Sequence, residues 1–325
     1  MPAETQQGDF NYIVVYTRSQ LVEQTTPVYM TIPSVDIEAR VQNLTFDDED
    51  LDIGELGGNL YWLAPDDVSQ VTHYVAYLSV GNALGCERSF ISNNLEGVID
   101  YDLPTETLIN NFTHFLVFTA SSFAEQTTPA TLEFTDVIAS VTDVNYVGKD
   151  LDLLDLGGMI SWMPPASTHN VLSYAVYLAE SFDGDGRSQI ESDVPLGTNE
   201  LLLPPETDRL SYTHYVVYTK SLLVEQTTPA YLLFYDTHAL SSNVSFVDWD
   251  LDPHEIGGDL YWVPPDDTLH VTYYVVYMAE SAAGHARLEL GNVSVGTDTL
   301  AIPQDTPLDS YTHILVYTLS DLVEQ

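Results

Sequence analysis

Nine carboxylates recur in this chain at a fixed spacing, and oxygen donors in that pattern suit hard cations. Each of three Asp-Leu-Asp triplets is followed three residues later by another acid: Asp50, Asp52 and Glu55; Asp150, Asp152 and Asp155; Asp250, Asp252 and Glu255. On an extended segment, side chains at i and i+2 lie on one side, and a third acid from the following turn can join them. Ca2+ takes six to eight oxygens, several of them carboxylates, from loops of this kind, so Ca2+ is the one cofactor the sequence suggests. The spacing is not that of an EF-hand, which needs Asp-x-Asp-x-Asp-Gly and a Glu at the twelfth place. The same acids also read as a solvated turn, because Asp and Gly are good turn formers and a charged loop discourages edge-to-edge aggregation. Both readings stay open at this point. Asp66, Asp67, Asp266 and Asp267 stand nearby in two cases, but Ala166 and Ser167 replace them in the other, so they are not required.

Other reactive side chains give no catalytic constellation, and the chain reads as not an enzyme. No Ser-His-Asp or Cys-His arrangement and no Gly-rich phosphate loop stands out. His114, His214 and His313 each follow a Thr at the start of an apolar run, roughly a hundred residues apart. They cannot meet in one metal site, and a local hydrogen bond at the strand start is expected of them. Asn43, Asn111, Asn243 and Asn292 head Asn-x-Ser/Thr sequons and are candidate glycosylation sites if the chain passes through a secretory pathway. Otherwise they are polar strand ends. Arg88, Arg187 and Arg287 recur among only 8 Lys and Arg, and each is expected to pair with a carboxylate of its own or the adjacent repeat.

The elements that must position these groups come in repeats. "GGNLYWLAPDD", "GGMISWMPPAS" and "GGDLYWVPPDD" begin at Gly57, Gly157 and Gly257, and "VTHYVAYLS", "VLSYAVYLAES" and "VTYYVVYMAES" follow from Val71, Val171 and Val271. The Glu-Gln of a third block falls at 23, 125, 225 and 324, so its opening copy precedes the first full unit. The runs are short, rich in Val and Tyr, often alternating, and bounded by Pro, Gly, Asp and Asn, which is the pattern of β-strands. In the second unit strands are expected at 141–146, 158–163, 172–179, 187–194, 200–203, 212–219 and 230–235. Seven strands per unit point to a two-sheet sandwich.

The "LYWVPP…VTYYVVY" segments resemble the second and third strands of fibronectin type III and related immunoglobulin-like domains. The resemblance implies that Trp62, Trp162 and Trp262 are core residues with Tyr74, Tyr174 and Tyr274 beside them, and that the chain is all-β. It places seven-stranded sandwiches end to end at 39–138, 139–240 and 241–325, the last lacking its final strand, after a partial repeat at 1–38 holding the last two strands. Those ends read as a window on a longer array in preference to head-to-tail strand exchange. Among such proteins the acidic arrays resemble large surface proteins and adhesins.

Composition narrows the function further. With 49 Asp and Glu against 8 Lys and Arg the formal net charge is −41, which repels nucleic acid and anionic lipid. No apolar run is long enough for a membrane helix, "MPAETQQGDF" lacks the features of a signal peptide, and the lone Cys86 allows no intrachain disulfide. The expectation is a structural component of an extracellular or cell-surface rod or fibre, whose partners are copies of itself or neighbouring repeats, with glycans as further candidates. The competing expectation is an adhesin or carbohydrate-binding protein with calcium-stiffened repeats. "EQTTP" would lie in the loop between the last two strands, as a contact, an O-glycan site or a turn meeting the next repeat. Trp249 is the one aromatic peculiar to its repeat and gives the binding reading its only support.

Overall fold

Tyr, Val, Thr and Leu fill the runs that pair, and every regular element among the described residues is a β-strand. The computed structural model describes residues 2, 5–32, 37–83 and 85–325; residues 33–36, near the end of the partial repeat 1–38, lie outside the described residues. The chain forms two compact units, Met1–Val137 and Ile138–Gln325.

In the first unit β1 (Tyr12–Val15) and β2 (Val28–Thr31) make an isolated antiparallel hairpin, with Tyr12 opposite Thr31. Its apolar side chains, including Tyr12, Val15, Val28, Tyr29 and Met30, are exposed. A full sandwich follows: β3 (Gln42–Phe46), β4 (Glu55–Leu63), β5 (His73–Ser79), β6 (Arg88–Leu95), β7 (Asp100–Leu108), β8 (His114–Ala120) and β9 (Ala130–Glu133). One sheet has the order β3-β4-β7 and the other β6-β5-β8-β9. Leu56, Leu60 and Trp62 of β4 alternate inward to meet Tyr74, Phe115 and Val117.

The second unit contains two repeats. Repeat 2 has β10 (Thr142–Gly148), β11 (Asp155–Met163), β12 (Ser173–Ala179), β13 (Ser188–Gln189), β14 (Val194–Pro195), β15 (Glu200–Asp208), β16 (His214–Lys220) and β17 (Ala230–Leu233). Its sheets are β10-β11-β15 and β13-β12-β16-β17, with β14 also paired to β12. Repeat 3 has β18 (Ser242–Phe246), β19 (Glu255–Val263), β20 (Tyr273–Ala279), β21 (Leu288–Ser294), β22 (Thr299–Pro307) and β23 (His313–Leu319). Here the sheets are β18-β19-β22 and β21-β20-β23. The outer edge of β23 therefore has no strand partner among the described residues. Two antiparallel sheets facing each other, repeated along the chain with three to five strands each, make a fibronectin type III-like, immunoglobulin-like β-sandwich.

Trp62, Trp162 and Trp262 are buried, and each meets its Tyr edge-on, with centroids 5.8, 5.3 and 5.4 Å apart. Such pairs add about 0.5–1.5 kcal/mol to the area they bury. Three strand expectations need correction. The strand expected at 187–194 is two short pieces, β13 and β14, because the polar run Glu191, Ser192 and Asp193 leaves the ladder after Ile190. The strands expected at 158–163 and 200–203 are longer, because β11 and β15 continue past a bulge into the acidic loop.

Candidate functional site

The acidic loop of each repeat is built by the Gly pair behind it. In repeat 2 a Cβ on Gly157 would lie 2.8 Å from Pro205 Cα, and one on Gly158, at φ 148°, would lie 2.1 Å from the Val147 carbonyl oxygen. The missing side chains let β11 run tightly against β15 and under the incoming chain. The register slips there, between Leu156 opposite Thr207 and Gly158 opposite Leu203, and corresponding slips occur in the other two repeats. Each slip pushes one residue of the partner strand out of the ladder with positive φ: Glu106 at 61°, Glu206 at 59° and Asp305 at 61°.

The first Asp of each triplet caps that slip. Asp50, Asp150 and Asp250 accept the backbone N–H of Glu106, Glu206 and Asp305 on Oδ2 at 2.8, 2.7 and 2.7 Å. Their Oδ1 atoms accept the N–H of Asp52, Asp152 and Asp252 at 3.1, 3.1 and 2.9 Å. In repeats 1 and 2, where this bond is part-buried, leaving the N–H unpaired would cost about 1–3 kcal/mol, while in repeat 3 the same bond is exposed. Asp48 adds a second brace, accepting from Asp50 N and Gly57 N on Oδ1 and from Val137 N on Oδ2. Asp248 accepts likewise from Asp250 N and Gly257 N. Repeat 2 has Gly148 at that place, and the Tyr146 hydroxyl takes over by bonding both the N–H and the carbonyl of Gly157.

The slip also delivers a fourth acid, which spacing along the sequence did not reveal. Ligand oxygens of Asp50, Asp52, Glu55 and Glu106 lie within 4.8 Å of one another, as do those of Asp250, Asp252, Glu255 and Asp305. Asp150, Asp152, Asp155 and Glu206 do not close to that spacing; Asp155 is one methylene shorter than Glu55 or Glu255. The recurring signal was there in "LPTETL", "LPPETD" and "IPQDTP", whose acids stand at matching positions. It becomes meaningful only with the strand pairing.

Charge is under strain in these loops. The proximity of Glu55, reinforced by burial, raises Glu106 to about 7. Burial raises Asp48 to about 7 against three backbone hydrogen bonds that favour its ionised form. Burial, with Glu206 and Asp150 nearby, raises Asp152 to about 6. Glu55 Oε2 is buried without a hydrogen-bond partner. A shared proton or a bound cation would relieve either cluster, and an all-carboxylate donor set fits a hard divalent ion.

The Leu inside the triplet has a separate task. Leu151 is 1% exposed and packs in the core of repeat 3 with Ala239, Trp262 and Val271. Around it Ser320 Oγ donates to the Lys149 carbonyl at 2.6 Å, Lys149 Nζ lies 3.5 Å from Asp321, and Ala239 N donates to the Leu151 carbonyl. Repeat 2 thus plugs its acidic loop into the head of repeat 3.

The remaining candidates are resolved within single repeats. Arg88, Arg187 and Arg287 reach Glu125, Glu225 and Glu324 at 3.0, 2.9 and 2.8 Å. Each guanidinium also lies over two rings, Tyr77 and Phe118, Tyr177 and Tyr218, or Tyr277 and Tyr317. The Tyr77, Tyr177 and Tyr277 hydroxyls donate to the same three carboxylates. The Glu of "EQTTP" is therefore held inside its own sandwich, while Gln126, Gln226 and Gln325 bond Thr119, Thr219 and Thr318. His114, His214 and His313 hydrogen bond the preceding Thr through Nδ1 at 2.7, 2.8 and 2.8 Å. Asn43, Asn111, Asn243 and Asn292 are all exposed. Asn43 and Asn243 have φ of 47° and 49°, as does Asp143 at 51°, so a left-handed bulge accounts for Asn or Asp there.

No family model matches the chain, and no curated protein matches it. Among solved structures, the crystal structure of the chicken CNTN1 FN1-FN3 domains aligns over 88% of this chain and 94% of its own at 14% identity, with a TM-score of 0.27. That likeness is loose, and the fold is assigned from the strand pairing of the chain itself.

Proposed function

We propose that this chain is a structural spacer: a stretch of a rod, fibre or surface filament whose second and third β-sandwich repeats are locked together through the acidic loop of the second. The observation that carries this reading is Leu151, a residue of one repeat buried in the core of the next. A freely jointed array would keep such side chains out of its neighbours. In the same reading Ca2+ neutralises the four-carboxylate clusters of repeats 1 and 3 and stiffens the loops that hold them. An extracellular or cell-surface setting is supported by four exposed sequons. Trp249, the residue an adhesin reading would claim, stands at the position of Lys149, which in repeat 2 faces the next repeat. The test is calorimetry of the whole chain. Repeats 2 and 3 should melt together, whereas separate, independent transitions for them would sink the spacer reading.

A further inference from the structure

The two sheets of repeat 2 have four edges, and three of them are guarded against a further strand. β10 has a bulge between Thr142 and Asn145, and β15 carries Pro204 and Pro205. β13 and β14 are two-residue pieces parted by Glu191 and Asp193. The fourth edge, β17, has none of these devices. It pairs with β16 in unbroken register from Ala230 to Leu233, and the segment 230–235, "AYLLFY", holds no charge, Pro or Gly. Phe234 N donates to the Thr213 carbonyl, so the N–H and C=O of Leu233 and Tyr235 point away from β16, at the open side of the sheet. The outer side chains Tyr231, Leu233 and Tyr235 are 54%, 46% and 77% exposed, and the exposed Phe182 ring lies 5.5 Å from that of Tyr231. In repeat 1 the same places hold Thr131, Glu133 and Thr135, so β9 carries the charge that β17 lacks. Repeat 2 has a repeat on either side of it in the sequence, yet this strip stays exposed.

We propose that β17 is a lateral docking edge that pairs antiparallel with β17 of a second copy of this chain, about a two-fold axis at Leu233. The strand is complementary to itself, and this selects the occupant. In that register Leu233 faces the same residue of the other copy, and Tyr231 faces its Tyr235. The outward N–H and C=O groups then close the ladder, and aromatic and aliphatic side chains meet across it. Charge makes the same choice. At a formal net charge of −41 most faces of two copies repel, so a contact between copies needs a strip free of carboxylates. The nearest acid in sequence, Asp236, is turned inward: its side chain is 4% exposed, lies 3.7 Å from Arg209 and accepts Leu154 N. The contact joins chains side by side. It goes beyond the spacer reading and does not depend on the junction between repeats 2 and 3.

The test uses the whole chain in a Cys86→Ser background at about 0.5 M NaCl, which screens the repulsion between copies. Leu233→Cys sets two thiols across a hydrogen-bonded pair, where Cα atoms stand about 5.5 Å apart, within reach of a disulfide. Under mild oxidation its covalent dimer should form roughly tenfold faster or more than that of Leu269→Cys, a control site 78% exposed in repeat 3. Tyr231→Cys should cross-link with Tyr235→Cys but not with itself, because its two copies stand about 14 Å apart across the axis. Sedimentation equilibrium should show the unmodified chain associating, and Leu233→Glu should weaken that association roughly tenfold or more by setting like charges opposite each other. Glu133 holds that place in repeat 1, so Leu233→Glu should fold with an unchanged melting temperature. A Leu233→Cys dimer that forms no faster than the control, or Tyr231→Cys pairing with itself as fast as with Tyr235→Cys, would overturn the proposal. So would a chain that stays monomeric at its highest soluble concentration, which would leave the edge to a strand of a different protein. The spacer reading is judged separately, by whether repeats 2 and 3 melt together.

Discussion

The hydroxyl of Ser320 donates to the carbonyl oxygen of Lys149 at 2.6 Å, joining residues that are 171 positions apart. That bond rims the socket in which Leu151 is buried, and Leu151 should be the most costly single truncation at the junction. Leu151→Ala should destabilise the second unit by about 2–5 kcal/mol, as for other buried Leu truncations. Leu251→Ala, at a site 96% exposed, should change chain stability by less than about 0.5 kcal/mol. Urea denaturation of both variants checks the contrast, and equal effects would refute the junction.

The raised carboxylates set a pH dependence whose sign is unusual for an acidic protein. Asp48 and Glu106 at about 7 and Asp152 at about 6 hold protons in the folded chain that the unfolded chain has released. Their contribution is fully present near the ordinary carboxylate range of 3.8–4.5 and is lost as pH rises through 6 to 7. The melting temperature should therefore rise as pH falls from 8 towards 5. Differential scanning calorimetry in matched ionic strength reads this directly, and a flat profile would remove the strain inferred for these loops.

Millimolar Ca2+ at pH 7.5 should raise the melting temperature, and a chelator should reverse it. Saturation a hundredfold above the dissociation constant would stabilise by about 2.7 kcal/mol per site. Glu106→Gln should abolish the response of repeat 1 and leave that of repeat 3, whose cluster uses Asp305. Identical melting with Ca2+ and with chelator would leave these carboxylates with their backbone-capping task alone.

Leu154 sits at φ 77°, a conformation that costs a non-glycine residue about 1–2 kcal/mol. Its side chain is 58% exposed, and Gly54 holds the matching place in repeat 1 at φ 86°. Leu154→Gly should thus stabilise repeat 2 by up to about 1 kcal/mol, the gain being trimmed by the greater freedom of an unfolded Gly. A loss of stability would show that the Leu side chain makes a contact worth more than the strain.

Arg187 lies over Tyr177 and Tyr218 while reaching Glu225. A Lys there keeps the charge but cannot stack a planar cation over both rings. Arg187→Lys should cost about 1–2 kcal/mol, more than the 0–1 kcal/mol of an ordinary surface pair. Chemical denaturation at low and high salt separates the two, since the stacking loss should persist when the ion pair is screened.

What the sequence disclosed and what it concealed divide along physical lines. The sandwich was legible, because buried Trp62, its partner Tyr74 and the alternation along β4 are local patterns repeated three times. The acidic triplets were legible as a group of candidate ligands, but their roles were not. Asp50 serves a backbone slip that exists only once β4 and β7 are paired. Leu151 looked like the filler between two acids, since nothing nearby in sequence says that another repeat covers it. Arg187 finds its carboxylate in its own repeat, so it braces a sandwich and sets no angle between repeats. Glu106 was hidden for the same reason as Asp50: its place in the cluster comes from pairing, not spacing.

The plug formed by Leu151 also constrains how such a gene can grow or shrink. The loop of repeat 2 fits the head of the repeat that follows it, so, where that junction recurs, gain or loss of a whole repeat of about a hundred residues keeps each plug facing a socket. A deletion of any other length leaves one plug bare and one socket empty. Copy number can therefore drift while the repeat length stays fixed.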